Sequence, residues 1–202
     1  MVVNVNRFIK ATKAEGPGLR SCVWFQGCRR HCEGCFATDT WPTSPNKMMA
    51  VEDILRQSQE DPLTEGITVL GGEPFEQPEA LAELLQGAWQ RKLSTIVFTG
   101  NTYEQLQASD NQCIENALHH IDVLIDGPFV QTRQSFKRPM IGSDNQRFIF
   151  LTTRYSMSDF RPNSIEVRIG ADGMVMMNGM GKMQQIKDLF YANNQIDNNK
   201  KE

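Results

Sequence analysis

The chain has 202 residues, 40% of them apolar and 22% charged, the composition of a folded globular protein long enough to bury one substantial core. Its 21 Lys and Arg against 24 Asp and Glu leave a net charge of -3, so a nucleic-acid partner gains no support from the chain as a whole. No apolar run approaches the roughly 20 residues that span a bilayer, and MVVNVNRFIK lacks a secretory apolar core, so the expectation is a cytoplasmic protein with no membrane partner.

In chain order, apolar stretches that read as short buried strands fall at 21–27 (SCVWFQG), 66–72 (GITVLGG), 94–100 (STIVFTG), 121–127 (IDVLIDG) and 146–152 (QRFIFLT), most of them ending at or beside glycine. Helical patterns lie between several of them, at 50–60, at 78–91 with Pro78 suited to a first turn, and at 103–120 with a break near Ser109. Strand and helix alternate, which argues for βαβ units and a parallel sheet covered by helices. So few strands cannot close an eight-stranded barrel, and the expected fold class is α/β, a partial, open TIM-like barrel. Near the end, SIEVRIGADGMVMMNG predicts a hairpin at about 164–178 around an Ala-Asp-Gly turn. A last helix from about 181 to 192 completes a single domain over 1–192, and the polar tail 193–202 lacks periodicity and is expected to fray.

Of five cysteines, three sit within GCRRHCEGC, too close together for an ordinary disulfide framework. Cys28, Cys32 and Cys35 follow the first predicted strand, at the carboxyl end where parallel α/β folds collect their chemistry. A structural zinc site normally takes four protein ligands in two separated pairs, and no second pair is present. A 4Fe-4S cubane usually takes four thiolates, so three leave one iron open to something that reacts. Cys22 reads as a small buried strand residue and Cys113 as a packing residue. His31 is expected to face solvent, and His119 and His120 to meet helix-end carbonyls. Trp24 and Trp89 read as core, Trp41 as a loop anchor, and the Met-rich stretch 173–183 as flexible packing.

The spacing Cys28-x-x-x-Cys32-x-x-Cys35 after a strand resembles the signature of radical S-adenosylmethionine enzymes. The wider stretch EGPGLRSCVWFQGCRRHCEGCFATDTW, with LGGEPFEQPEAL, TGNTYEQL, IDVLIDGPFV and IGSDNQRFI after it, is similar to the activating enzymes of glycyl radical enzymes, above all the activases of anaerobic ribonucleotide reductase. Gly34 departs from the broader pattern, which often has an aromatic residue before the last cysteine, and suits the ribonucleotide reductase branch.

The resemblance implies a 4Fe-4S cluster on Cys28, Cys32 and Cys35, with the open iron chelated by the methionine part of S-adenosyl-L-methionine. It also implies that the segment Gly71, Gly72, Glu73 and Pro74 bonds the cofactor's α-amino group. The glycines themselves suit close backbone approach to a ligand, and Glu73 adds an acceptor for the ammonium. Thr99 and Asp126, at the ends of later strands, are candidates for the ribose or other polar atoms of the nucleoside, and Gly34 and Phe36 for the adenine. The implied reaction is reductive cleavage to a 5′-deoxyadenosyl radical and methionine, followed by hydrogen abstraction from a backbone glycine of a partner enzyme, with flavodoxin or ferredoxin as electron donor. Two other functions compete: modification of a small metabolite or ribosomal peptide, and a non-catalytic iron-sulfur or zinc module. The basic run Arg133, Lys137, Arg138 and Arg147 is either a solvated loop or a contact for a partner or the cofactor carboxylate.

Overall fold

Valine and asparagine alternate at the start of the chain, and this period of two builds β1, Val2–Thr12, with Val3, Val5 and Ile9 turned inward. The computed structural model describes residues 1–181, so the helix expected from about 181 and the polar tail lie outside the described residues. Opposite β1 runs β2, Leu19–Phe25, antiparallel to it, and β3, Lys47–Ala50, pairs antiparallel along the other edge of β1. Neither β1 nor β3 was among the expected strands.

Beyond β2 the expected alternation holds. Helix α1 (Val51–Ser58) leads into β4 (Thr64–Gly71), α2 (Pro78–Gln90) into β5 (Ser94–Phe98), and α3 (Tyr103–Gln107) with α4 (Gln112–Leu118) into β6 (Val123–Asp126). Strands β2, β4, β5 and β6 are mutually parallel, as helical crossovers require. The last strand of this sheet, β7 (Arg147–Phe150), is antiparallel to β6, which corrects the expectation of a sheet parallel throughout. Between them the chain has only a short 3-10 turn at Gln131–Arg133 and no crossover helix, so it doubles back instead of returning to the far end. The result is a mixed seven-stranded sheet in the order β3-β1-β2-β4-β5-β6-β7.

One face of the sheet carries Val23, Phe25, Ile67, Val69, Val97 and Leu124 against the helices. On α2 the inward stripe is Leu81, Leu84, Leu85 and Ala88, the i, i+3, i+4, i+7 spacing of an amphipathic helix. Burying each such leucine contributes about 1.5–3 kcal/mol. Trp89, expected in the core, falls just outside that stripe; it is 42% exposed, and its ring meets the edge of His120. On the opposite face Ile96, Val123 and Ile125 pack under Met140, Ile141 and Phe160, while Cys22 and Trp24 are buried beside Ile9.

At the amino end of the parallel strands Arg20 is fully buried. It donates to Thr68 Oγ1 at 2.8 Å, Ser94 Oγ at 2.9 Å and the Ile67 carbonyl at 3.0 Å, joining the feet of β2, β4 and β5. A hairpin of β8 (Ile165–Ile169) and β9 (Val175–Gly179) matches the expected one and docks against β1 and the turn after it. Arg7 donates to the Met177 carbonyl at 3.1 Å, and the buried Glu15 accepts from the Gly179 amide at 2.6 Å.

Candidate functional site

The carboxyl end of β2 runs directly into the cysteine loop. Gly27 has a φ of 105°, in the region that favours glycine, and turns the chain out of the sheet. The loop is pinned where it leaves and returns: the Gly27 amide donates to the Thr40 carbonyl at 2.7 Å and the Cys28 amide to the Trp41 carbonyl at 3.1 Å. Inside it, the Cys35 amide bonds the Cys32 carbonyl at 3.1 Å, and His31 stacks on Trp41 at 4.5 Å, so Trp41 is the anchor it was expected to be.

Cys28 is buried, and Cys32 and Cys35 are half-buried. Burial pushes the Cys28 thiol up, while the backbone amides of Arg30 and His31 pull it back down. The Ala37 amide lies 3.4 Å from Cys35 Sγ. Amides aimed at sulfur favour thiolate. Among the described residues no three His, Cys, Asp or Glu side chains meet around one ion-sized point. A cubane does not ask for that, since its thiolates bind different irons. Three free thiols on one cavity wall, two with amides on their sulfurs, are a donor set that fits such a cluster.

The turn after β4 closes on the same loop. The Gly72 amide donates to the Phe25 carbonyl and the Glu73 amide to the Gly27 carbonyl, each at 2.9 Å. A side chain on Gly71 would meet the Phe25 backbone, and one on Gly72 would overlap the Gly27 carbonyl. The two glycines therefore permit close approach to β2 and the loop it feeds, where the sequence suggested close approach to a ligand. Among the described residues no protein donor reaches the Gly72 carbonyl.

Glu73 is buried and organises the rim. Its Oε1 accepts from the Phe75 amide at 3.1 Å and the Thr99 hydroxyl at 2.9 Å, and its Oε2 accepts from the Gly100 amide at 2.8 Å, with Arg30 Nε 3.5 Å away. Burial raises its carboxyl above the usual range, opposed by these donors.

One cavity is lined by Cys28, Cys32, Cys35, Phe36, Gly71, Gly72, Glu73 and Thr99, so most of the expected site residues come together. Three expected contacts are not in its wall. Gly34 faces Gln131, Pro74 opens a 3-10 turn, and Asp126 is fully buried, accepting from the Tyr103 amide at 2.7 Å and Arg147 Nε at 2.9 Å. Asp126 joins β6, α3 and β7, and its neighbour Gly127 lines the cavity in its place. The wall also includes Arg30, Trp24, Trp41 and Phe129, which sequence reasoning did not assign to the site. The three arginines of the basic run are engaged within the fold, while Lys137 is exposed: Arg133 pairs with Asp144, Arg147 with Asp126 and Glu104, and Arg138 donates to the Asp144 and Gln146 carbonyls.

A family model described as a 4Fe-4S single cluster domain matches residues 14–149, the span that holds this cavity's cysteines and its Gly-Gly-Glu turn. The chain belongs to that family. It is similar to the anaerobic ribonucleoside-triphosphate reductase-activating protein of Pasteurella multocida, 30% identical over 164 residues, covering 76% of this chain and 100% of the relative. The protein of the same name from Enterobacteria phage T4 is 26% identical over 151 residues, 72% of this chain and 92% of its own. The pyruvate formate-lyase-activating enzyme of Clostridium pasteurianum is 31% identical over 118 residues, 54% of this chain, and the chain spans 49% of its length. With these relatives, the 4Fe-4S domain protein is a radical S-adenosylmethionine enzyme of the activating type, with a 4Fe-4S cluster and S-adenosylmethionine as its cofactors. No helix among its described residues is long and apolar enough to cross a membrane.

Proposed function

We propose that this chain activates a glycyl radical enzyme of the anaerobic ribonucleotide reductase type, with Cys28, Cys32 and Cys35 holding the cluster and the reaction proceeding in the cytoplasm. The observation that carries this reading is the shared cavity, where three thiols separated by short spacings meet the Gly71–Glu73 turn from the next parallel strand. Held there by Cys28, Cys32 and Cys35 beside the Gly71–Glu73 turn, the cluster and S-adenosylmethionine would supply one-electron reductive cleavage of a carbon-sulfur bond, the chemistry that hydrogen abstraction from a backbone glycine requires.

The chain's own residues bind, orient and shield. The Gly72 carbonyl accepts from the cofactor's α-ammonium, and Glu73, already bonded at both oxygens, contributes its negative charge beside that ammonium. Thr99 acts first by fixing Glu73, since its hydroxyl already points at that carboxylate. Trp24, Phe36, Phe98 and Phe129 give the cavity apolar walls that keep water and stray hydrogen donors from a reactive carbon. Phe36 is 66% exposed at the rim, where a peptide loop or an adenine ring would meet it. We read the mixed sheet as the wall of an open barrel whose free side admits such a loop, and a small flavodoxin or ferredoxin as the electron source.

The test is anaerobic incubation of the reconstituted, reduced protein with S-adenosylmethionine and a ribonucleotide reductase of the glycyl radical class. Electron paramagnetic resonance should show a glycyl radical on the reductase, absent with Cys32→Ala. Cofactor cleavage without any radical on the reductase would shift the substrate to a small metabolite or peptide.

A further inference from the structure

Among the described residues lining the cysteine cavity, the only formally charged side chains other than the thiols are Glu73 and Arg30. The acid belongs to the motif that the sequence singled out. The cation was assigned nothing, yet it sits at the centre of the cysteine loop, two residues after Cys28 and two before Cys32.

Its side chain reaches across the site and is only 30% exposed. Nη2 donates to Asn101 Oδ1 at 2.5 Å, beyond the end of β5, and Nε lies 3.5 Å from Glu73 Oε2, after β4. Its stem lies so close along Gly100 that a methyl group there would sit 2.5 Å from Arg30 Cδ. The rim it meets is stiff: Asn101 donates to Thr99 Oγ1 through both its backbone and side-chain nitrogens, at 3.0 and 3.1 Å, and Thr99 donates to Glu73. A planar fork with several fixed donors can hold two acceptors on different elements in one orientation, which a lysine cannot.

We propose that Arg30 is a positioning residue, a strut that locks the cysteine loop to the Glu73 turn and the Asn101 rim. The cluster's open iron and the surface that grips the cofactor's methionine end are thereby held in one register. This rests on the cluster and cofactor reading above. Geometry set by a strut matters most where two groups must bind one ligand at once, since small misplacement at either end loses the chelate.

Arg30→Met, Arg30→Lys and Asn101→Ala separate this role from a general need for the loop to fold. Asn101 is outside the cavity wall; its side chain meets the cofactor surface through Arg30 and Thr99, and its carbonyl accepts from the Gly127 amide at 2.9 Å, a backbone contact that Asn101→Ala keeps. Each protein is reconstituted and its iron and sulfide counted. S-adenosylmethionine affinity is measured by equilibrium dialysis, and the resonance spectrum of the reduced cluster is recorded with and without the cofactor.

We expect full cluster content in all three, affinity about tenfold weaker in Arg30→Met and partly restored in Arg30→Lys. Asn101→Ala should weaken it less, and Arg30→Met with Asn101→Ala no more than Arg30→Met alone. The cofactor-induced spectral change should be smaller or heterogeneous in Arg30→Met. Parental affinity and spectrum in Arg30→Met would overturn the proposal, as would loss of the cluster itself, which would make Arg30 a folding residue of the loop. If the parental protein builds no cluster, or its spectrum ignores the cofactor, the fault lies in the underlying cofactor reading.

Discussion

The Thr99 hydroxyl donates to Glu73 Oε1 at 2.9 Å, tying the end of β5 to the turn after β4. The cofactor surface is thus built across strands, and the carboxylate that the motif advertises is a hub for its neighbours.

Removing that hub should be costly. Glu73→Gln places an amide NH2 where Oε2 now meets the Gly100 amide and Arg30, so two donors face a donor. A stability loss of about 1–3 kcal/mol and cofactor affinity weakened about tenfold are expected. Chemical denaturation and equilibrium dialysis measure the two effects separately.

The five cysteines should divide cleanly. Replacing Cys28, Cys32 or Cys35 with Ala should abolish the cluster, read as loss of visible absorbance and of bound iron. Cys22→Ala and Cys113→Ala should keep it, since Cys22 is buried in the sheet and Cys113 is in α4. The first of these two should cost about 1 kcal/mol of packing.

Glu15 makes the hairpin's docking pH-dependent. Burial pushes its carboxyl up to about 7 from 4.5, against the pull of the Gly179 amide, Asn178 and Arg7. The folded state then holds the proton more tightly than the unfolded chain. Its contribution is complete below about pH 4.5 and is lost as pH rises through 7. Between pH 4.5 and 8 the chain should lose up to about 3 kcal/mol that Glu15→Gln does not lose. Denaturant melts of both proteins at pH 5 and pH 8 check this; an unchanged gap between them would refute it.

Leu84 on α2 is fully buried under the sheet, and Leu84→Ala should cost about 2–5 kcal/mol with no change in the cluster per folded molecule. A calorimetric melt alongside iron analysis distinguishes core damage from site damage.

The cysteine loop and the Gly-Gly-Glu turn were legible because each is local: short spacings after an apolar run that must be a strand. The pairing of Glu73 with Thr99 was not, because it spans 26 residues and depends on β4 and β5 being neighbours. Asp126 was rightly placed at a strand end, but Arg147 on the antiparallel β7 claims it, and that strand's direction was misjudged. The missing helix between 127 and 146 was the available signal. Arg30 passed unnoticed because an arginine between two loop residues ordinarily reads as solvated. Trp89 read as core by its size, though α2 turns it outward to His120.

The most direct test is to reconstitute the protein anaerobically with iron and sulfide, reduce it, add S-adenosylmethionine and measure 5′-deoxyadenosine by chromatography beside Cys32→Ala. The account predicts product from the parental protein and none from the variant. No product from a parental protein that carries a full, reducible cluster, with its partner enzyme present, would contradict it.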